Sequence, residues 1–318
     1  MKNIIVVIVV SVLCLTACVD SYESENISNH APDLLNQQED QEVKPDTSNM
    51  EDDNILGEEG NENQEEMDII QPEGMTILDR FHVPKDFTRI TVKEDSFGAY
   101  LRKLPLKEHG SKVLYHDGRT KNLSGVYEAV VDMDIGERNL QQCADAVMRL
   151  RGEYLYGMGA YSKIHFNFTN GFRVDYSKWM DGYRVRIEGN KTSYTKSHAA
   201  SNTYEDFRRY MNLVFVYAGT LSLEQELESV DMTEMAIGDV LIQGGSPGHT
   251  VIVVDMASND EGKKLYMLAQ SYMPAQDIQI LCNPNNEYSP WYPIEESEQI
   301  ITPEWTFSKE DLKRFTED

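Results

Sequence analysis

"GDVLIQGGSPGHTVIVVD", residues 238–255, is the stretch that decides the fold class. Gly238-Asp239 opens a short apolar strand, Val240 to Gln243, and a glycine-rich turn follows over 244–248. The chain re-enters a strand at His249, with Val251, Val253 and Asp255 on one face and Thr250, Ile252 and Val254 on the other. Side chains alternate with period two along a strand, so apolar residues on both faces mark a central strand. A histidine at its mouth is held rigidly. It reads either as a general base at a strand end or as a hydrogen-bonding residue of a hairpin.

Working outward, Lys264 to Gln270 and Ile278 to Leu281 continue the strands. Upstream the pattern is mixed. Asp95-Ser96 caps a short helix, Phe97 to Leu104, which Pro105 stops. Asp117-Gly118 and Asn170-Gly171 signal hairpins, and Val126 to Met133 and Tyr183 to Ile187 read as strands. Leu140, Cys143, Ala144, Val147, Leu150 and Tyr154 recur at 3–4 spacing and predict a helix over Glu137 to Tyr156. Phe207, Tyr210, Met211, Val214 and Tyr217 do the same for Thr203 to Ala218; Ser222 to Val230 continues helically, and Ser308 to Phe315 closes the chain as a helix. Helices mixed early and an antiparallel meander late predict an α+β domain. Its expected form is one mainly antiparallel sheet with two or three packed helices.

The ends of the chain carry different information. Lys2 and the apolar run Ile4 to Leu15 form a signal segment, residues 1–17, too short for a spanning helix of about 20 apolar residues. Leu15-Thr16-Ala17-Cys18 resembles the lipobox of bacterial lipoproteins, which implies cleavage before Cys18, acylation of its thiol and a membrane anchor outside the cytoplasm. Between Val19 and Glu73 there are 18 acidic residues and one lysine, without apolar periodicity. Such a segment cannot bury enough surface to offset its ordering entropy. Residues 18–73 are therefore expected to be a disordered acidic tether, spanning about 40 Å root-mean-square as a coil. The globular domain is expected over 74–318. Its acidic balance argues against nucleic acid as a partner.

Few residues in the body invite chemistry. Cys143 and Cys282 are its two cysteines, and their order does not decide whether they pair. On the expected helix Cys143 lies about two turns inside, on the apolar stripe, where a cysteine is more often a small hydrophobe. Asp132 and Asp134 in "VVDMDIG" point to one side, either as a pair for acid/base work or for holding Ca²⁺, or with Asp134 capping the next helix. No metal-ligand spacing and no phosphate loop is present, and no cofactor is expected. Trp179 and Trp291, beside amide residues, suit stacking on sugars.

Around His249 the chain is similar to papain-like cell-wall amidases of the CHAP type. The shared residues are the "GD" before a strand, the glycine-rich turn and the strand-opening histidine. That resemblance implies His249 as base for a cysteine and Gln270, at the end of the next strand, as the residue that orients the imidazole. Ser271, Cys143 and Thr250 are then candidates to stand beside it. Longer runs, among them "SFGAYLRKLPLK", "NLQQCADAVMRLRGEYLY", "IHFNFTNGF" and "TPEWTFSKEDLKRF", resemble the domain of unknown function 4846 family from Phe81 to Phe315. This second resemblance implies a single domain behind a lipoprotein signal and assigns no activity. Two functions are expected to compete: a cell-wall amidase or peptidase using His249, and a non-catalytic surface module that binds glycan or cell wall.

Overall fold

The computed structural model describes residues 68–285, 288–295 and 297–316. The signal segment, Cys18 and the tether as far as residue 67 lie outside the described residues. Ile70, which the sequence assigns to the end of the tether, forms a β-bridge with Phe81.

Chain order gives α1 (Ile77–Arg80), β1 (Phe87–Arg89), α2 (Phe97–Arg102), β2 (Tyr127–Val130) and α3 (Cys143–Gly157). A hairpin of β3 (His165–Asn167) and β4 (Arg173–Asp175) leads through α4 (Tyr176–Met180) to a second hairpin, β5 (Tyr183–Glu188) and β6 (Lys191–Lys196). Then come α5 (Tyr204–Tyr217), α6 (Thr220–Glu226), β7 (Glu228–Ser229), β8 (Val240–Gln243), β9 (His249–Asn259), β10 (Lys264–Gln270) and β11 (Gln279–Leu281). Short strands close the chain: β12 (Tyr292–Pro293), β13 (Gln299–Ile301), β14 (Thr306–Ser308) and β15 (Leu312–Arg314).

One sheet organises these elements. Its order is β2-β11-β10-β9-β8-β15-β7, with β1 also on β9 and β12 also on β10, and every pairing is antiparallel. The fold is α+β. β9 is central because both of its faces are covered. Ile252 and Val254 join the core under α3 and α5, while Val251 and Val253 join a second cluster with Leu241, Leu268, Phe307 and Leu312. Full burial of each such side chain contributes about 1.5–3 kcal/mol, which is why a two-sided apolar strand takes the middle of the sheet. A register shift at Met267/Leu268 interrupts the alternation, so Met256 instead of Asp255 follows Val253 into the second cluster. Asp255 is fully buried and is neutralised by Arg89 (2.7 Å) and by Arg102.

Glycine geometry explains the "GD". Gly238 has φ 98°, and a Cβ there would lie 2.8 Å from Phe97 Cδ1. Asp239 binds Arg314 of β15 through both carboxylate oxygens and accepts the Ala236 N–H at 2.7 Å. That pair locks the last strand to the sheet.

Three expectations are corrected. The helix expected from Glu137 starts at Cys143. Ser308 to Phe315 is not a helix: β14 and a single 3₁₀ turn lead into β15, where Leu312 pairs with Leu241 and is fully buried. The helix expected over Ser222 to Val230 ends at Glu226, and Glu228–Ser229 pairs as an edge strand.

Candidate functional site

The late start of α3 places a thiol where the sequence did not. Gln142 is extended, and its backbone N–H donates to Asp145 Oδ2 at 3.0 Å, a first-turn cap that satisfies an otherwise orphan donor. Asn139 Oδ1 accepts both Gln142 Nε2 (3.0 Å) and the Ala275 N–H (2.8 Å), so residues before Cys143 are tied to the loop after β10. The N-terminus of α3 therefore abuts the ends of β9 and β10. Ser271 Oγ donates to Gln276 O (2.8 Å) and lies 3.2 Å from Gln141 O, and the backbone N–H of Thr250 is near enough to the Cys143 sulfur to favour its thiolate. The thiol thus lies near the residue that follows His249.

His249 is 1% exposed. Its Nε2 lies 2.8 Å from Gln270 Oε1, and its ring packs against Tyr272, Trp305 and Phe307 at centroid distances of 4.7, 5.3 and 5.9 Å. Burial lowers the imidazole to about 4; the Gln270 hydrogen bond opposes this, and the Lys121 ammonium adds to it. Behind Gln270 the polar contacts continue. Gln270 Nε2 donates to Glu304 Oε2 at 2.7 Å, and Lys121 Nζ donates to the same oxygen at 2.6 Å. Among the described residues, His249 Nδ1 has no hydrogen-bond partner and no hydrogen bond joins the imidazole to the Cys143 thiol.

Cys143 opens on a cleft of about 610 Å³, lined also by Gln142, Asp145, Thr220, Gly245 and Gly248. A helix N-terminus favours a thiolate, and the Ala144 and Thr250 N–H groups point the same way. Burial outweighs them and pushes the thiol up to about 11. Burial likewise pushes Asp145 up to about 8, and its Oδ1 is buried without a partner. At neutral pH both the Cys143 thiol and the His249 imidazole are therefore neutral.

The glycine-rich turn forms one wall of this cleft. Two of its three glycines pack closely on α6: a Cβ on Gly244 would lie 2.5 Å from Glu224 Oε2, and one on Gly248 would lie 2.4 Å from Thr220 Oγ1. Gly244 N–H donates to Glu224 Oε1 at 3.1 Å. The turn is fixed to the helix.

The remaining candidates separate cleanly. The hydroxyls of Ser271 and Thr250 are both spent on backbone carbonyls, Thr250 on Leu241 O at 3.0 Å, which leaves Cys143 as the remaining nucleophile candidate. Cys143 and Cys282 are both free thiols. Trp291 is fully buried, with Nε1 donating to His82 O, and Trp179 is 7% exposed beneath the Arg184 guanidinium. Neither indole presents a face to a sugar. Asp134 Oδ1 accepts the Gly136 N–H at 2.9 Å and caps a turn, not α3; with Asp132 it lines a separate cleft. Among the described residues no group of three His, Cys, Asp or Glu could hold a metal ion. Glu304 and Lys121 were not singled out in the sequence, since nothing local marks two residues 183 positions apart as partners of one glutamine.

Comparison with known proteins agrees with the longer of the two resemblances. The model of a family described as a domain of unknown function (4846) matches residues 77–314. No curated protein and no solved structure matches the chain.

Proposed function

The chain belongs to the domain of unknown function 4846 family, and we propose that it acts as a papain-like thiol amidase or peptidase on the cell wall. In this reading Cys143 is the nucleophile, His249 the base and Gln270 the residue that orients the imidazole. The observation that carries it is the Cys143 thiol at the first position of α3, favoured as thiolate by the nearby Thr250 N–H, one residue along the chain from a histidine bound to Gln270. The thiol proton passes to His249 Nδ1, directly or through one water, as sulfur attacks the scissile carbonyl carbon. The imidazolium then protonates the leaving amine. Water, deprotonated by the same nitrogen, hydrolyses the thioester and restores the thiol. Export and anchoring through Cys18 belong to the same proposal, supported by Lys2, the run Ile4 to Leu15 and the lipobox-like Leu15-Thr16-Ala17-Cys18.

Incubation of purified peptidoglycan with wild type, Cys143→Ala and His249→Ala, followed by measurement of released amino groups, tests the chemistry. Release by wild type that both variants lose supports it. A wild type that releases none, or a Cys143→Ala variant as active as wild type, overturns it. The second reading is a non-catalytic wall-binding module. It is favoured by the neutral thiol and imidazole, which share no hydrogen bond, and it predicts that inactive wild type still sediments with peptidoglycan. For the anchor, radiolabelled palmitate should enter wild type and not Cys18→Ala; equal labelling of both would rule it out.

A further inference from the structure

Three contacts of ordinary length make one directed chain. Lys121 Nζ lies 2.6 Å from Glu304 Oε2, Gln270 Nε2 lies 2.7 Å from that same oxygen, and Gln270 Oε1 lies 2.8 Å from His249 Nε2. The members come from four places in the sequence: the segment before β2, the end of β10, the start of β9 and the loop between β13 and β14. Lys121 is 2% exposed, so its ammonium is held in the interior by this contact.

A carboxylate only accepts hydrogen bonds, and a side-chain amide donates from nitrogen and accepts at oxygen. Turning the Gln270 amide over would set its oxygen against Glu304 and leave its NH₂ against the imidazole. Lys121 donates to Glu304 and cannot relieve that clash. The amide therefore has one orientation, and Gln270 offers His249 an acceptor only. A neutral imidazole facing an acceptor with Nε2 must carry its proton there, which leaves Nδ1 as the lone-pair nitrogen.

We infer that Glu304 and Lys121 are positioning residues that act through Gln270 to fix His249 as the Nε2–H tautomer, with Nδ1 as its basic nitrogen. The catalytic consequence rests on the thiol-hydrolase reading, because only that reading needs a basic Nδ1. The tautomer itself does not depend on it. Packing alone would hold the ring in place without choosing which nitrogen keeps the proton; the choice is made two residues away, by a carboxylate that never touches the histidine.

The test is ¹⁵N-histidine labelling of the protein with two-bond ¹H–¹⁵N correlation spectra at pH 7, the His249 signals being assigned by their loss in His249→Ala. Wild type is expected to show the Nε2–H pattern alone. In Lys121→Met/Glu304→Leu the amide is free to turn, and a substantial Nδ1–H population appears; if peptidoglycan hydrolysis is present, kcat falls roughly tenfold or more with KM little changed. Gln270→Glu alone opposes two carboxylates and should lower the Tm. Gln270→Glu/Glu304→Gln reverses the two groups, restores the donor between them, and should recover both the Tm and the Nε2–H pattern.

An Nδ1–H pattern in wild type overturns the inference, as does an unchanged pattern in folded Lys121→Met/Glu304→Leu. Should that variant not fold, the exchange pair decides: recovery supports the inference and no recovery overturns it. Wild type that hydrolyses nothing yet shows the Nε2–H pattern sinks the hydrolase and leaves the positioning role standing.

Discussion

Gln270 Oε1 lies 2.8 Å from His249 Nε2 in a pocket walled by Tyr272, Trp305 and Phe307, so the imidazole is hydrogen-bonded yet dehydrated. One neutral hydrogen bond stabilises it by about 1 kcal/mol, less than the cost of burying its charged form. Dehydration wins, and the histidine stays neutral far into the acid range.

That balance predicts how stability depends on pH. His249 falls from 6.5 to about 4 on folding, so between those values the unfolded state binds the extra proton, and its contribution is lost as pH drops. Asp145 rises from 3.8 to about 8, so between those values the folded state binds the extra proton, and its contribution is lost as pH rises. Each slope is about 1.4 kcal/mol per pH unit. The two cancel between pH 4 and 6.5, and only Asp145 acts from 6.5 to 8. Urea unfolding should give wild type a flat profile followed by a loss of about 2 kcal/mol. Asp145→Asn should instead gain about 3 kcal/mol from pH 4 to 6.5 and then level off, and His249→Gln should decline throughout. Parallel profiles for all three proteins would refute both assignments.

The thiol gives a second pH dependence. Burial holds Cys143 near 11, so its thiolate fraction grows about tenfold per pH unit across the neutral and mildly alkaline range. Alkylation by iodoacetamide, followed by peptide mass spectrometry to separate it from Cys282, should show that slope from pH 7 to 9. An ordinary thiol levels off near its pKa of about 8.5. Levelling of the Cys143 rate by pH 9 would place the thiol in an environment unlike this cleft.

Much of the fold could be read in advance because it is written locally. Thr203 and Ser96 cap α5 and α2 through their side chains, accepting the N–H of Asp206 and of Ala99, and the apolar spacing behind them is helical. α3 misled because Leu140 continues the stripe backward and packs on the core from a non-helical segment. Its cap is Gln142 with Asp145, a pairing outside the usual Ser/Thr signal. The misplaced helix start hid the best argument for Cys143. "SKEDLKRF" has helical composition, but Leu312 buries more surface by pairing with Leu241 than a surface helix would give it. The site divides in the same way. His249 and Gln270 stand out at strand ends, whereas Glu304 and Lys121 reach Gln270 through long-range folding alone.

Asp255 is a buried carboxylate held by two guanidinium groups. It is fully buried in the register shift of β9 and binds Arg89 and Arg102; Arg102 also donates to Met256 O at 3.1 Å. Asp255→Ala leaves the guanidinium of the buried Arg102 without its carboxylate. Loss of one partner from such a pair costs about 3–5 kcal/mol. Denaturant titration should show a loss of that size, while Arg119→Ala, at an exposed pair with Asp117, should cost under about 1 kcal/mol. Equal effects would mean that the Asp255 cluster is solvated.

Gly248 links the turn of the opening motif to the cleft. A Cβ there would meet Thr220 Oγ1 at 2.4 Å, Gly245 O at 2.7 Å and Gln243 O at 2.8 Å. Two of the three are backbone oxygens and cannot rotate away. Gly248→Ala must therefore move the turn off α6 and disturb the start of β9 one residue before His249. The expected cost is about 1–3 kcal/mol, the range for overpacking. Thr220→Ala removes one obstacle and leaves the two carbonyls, so Gly248→Ala/Thr220→Ala should recover only part of the loss. Complete recovery in urea unfolding would show that Thr220 alone imposes the glycine. Partial recovery, together with faster Cys143 alkylation than in wild type, is the result expected of a turn that closes one wall of the cleft.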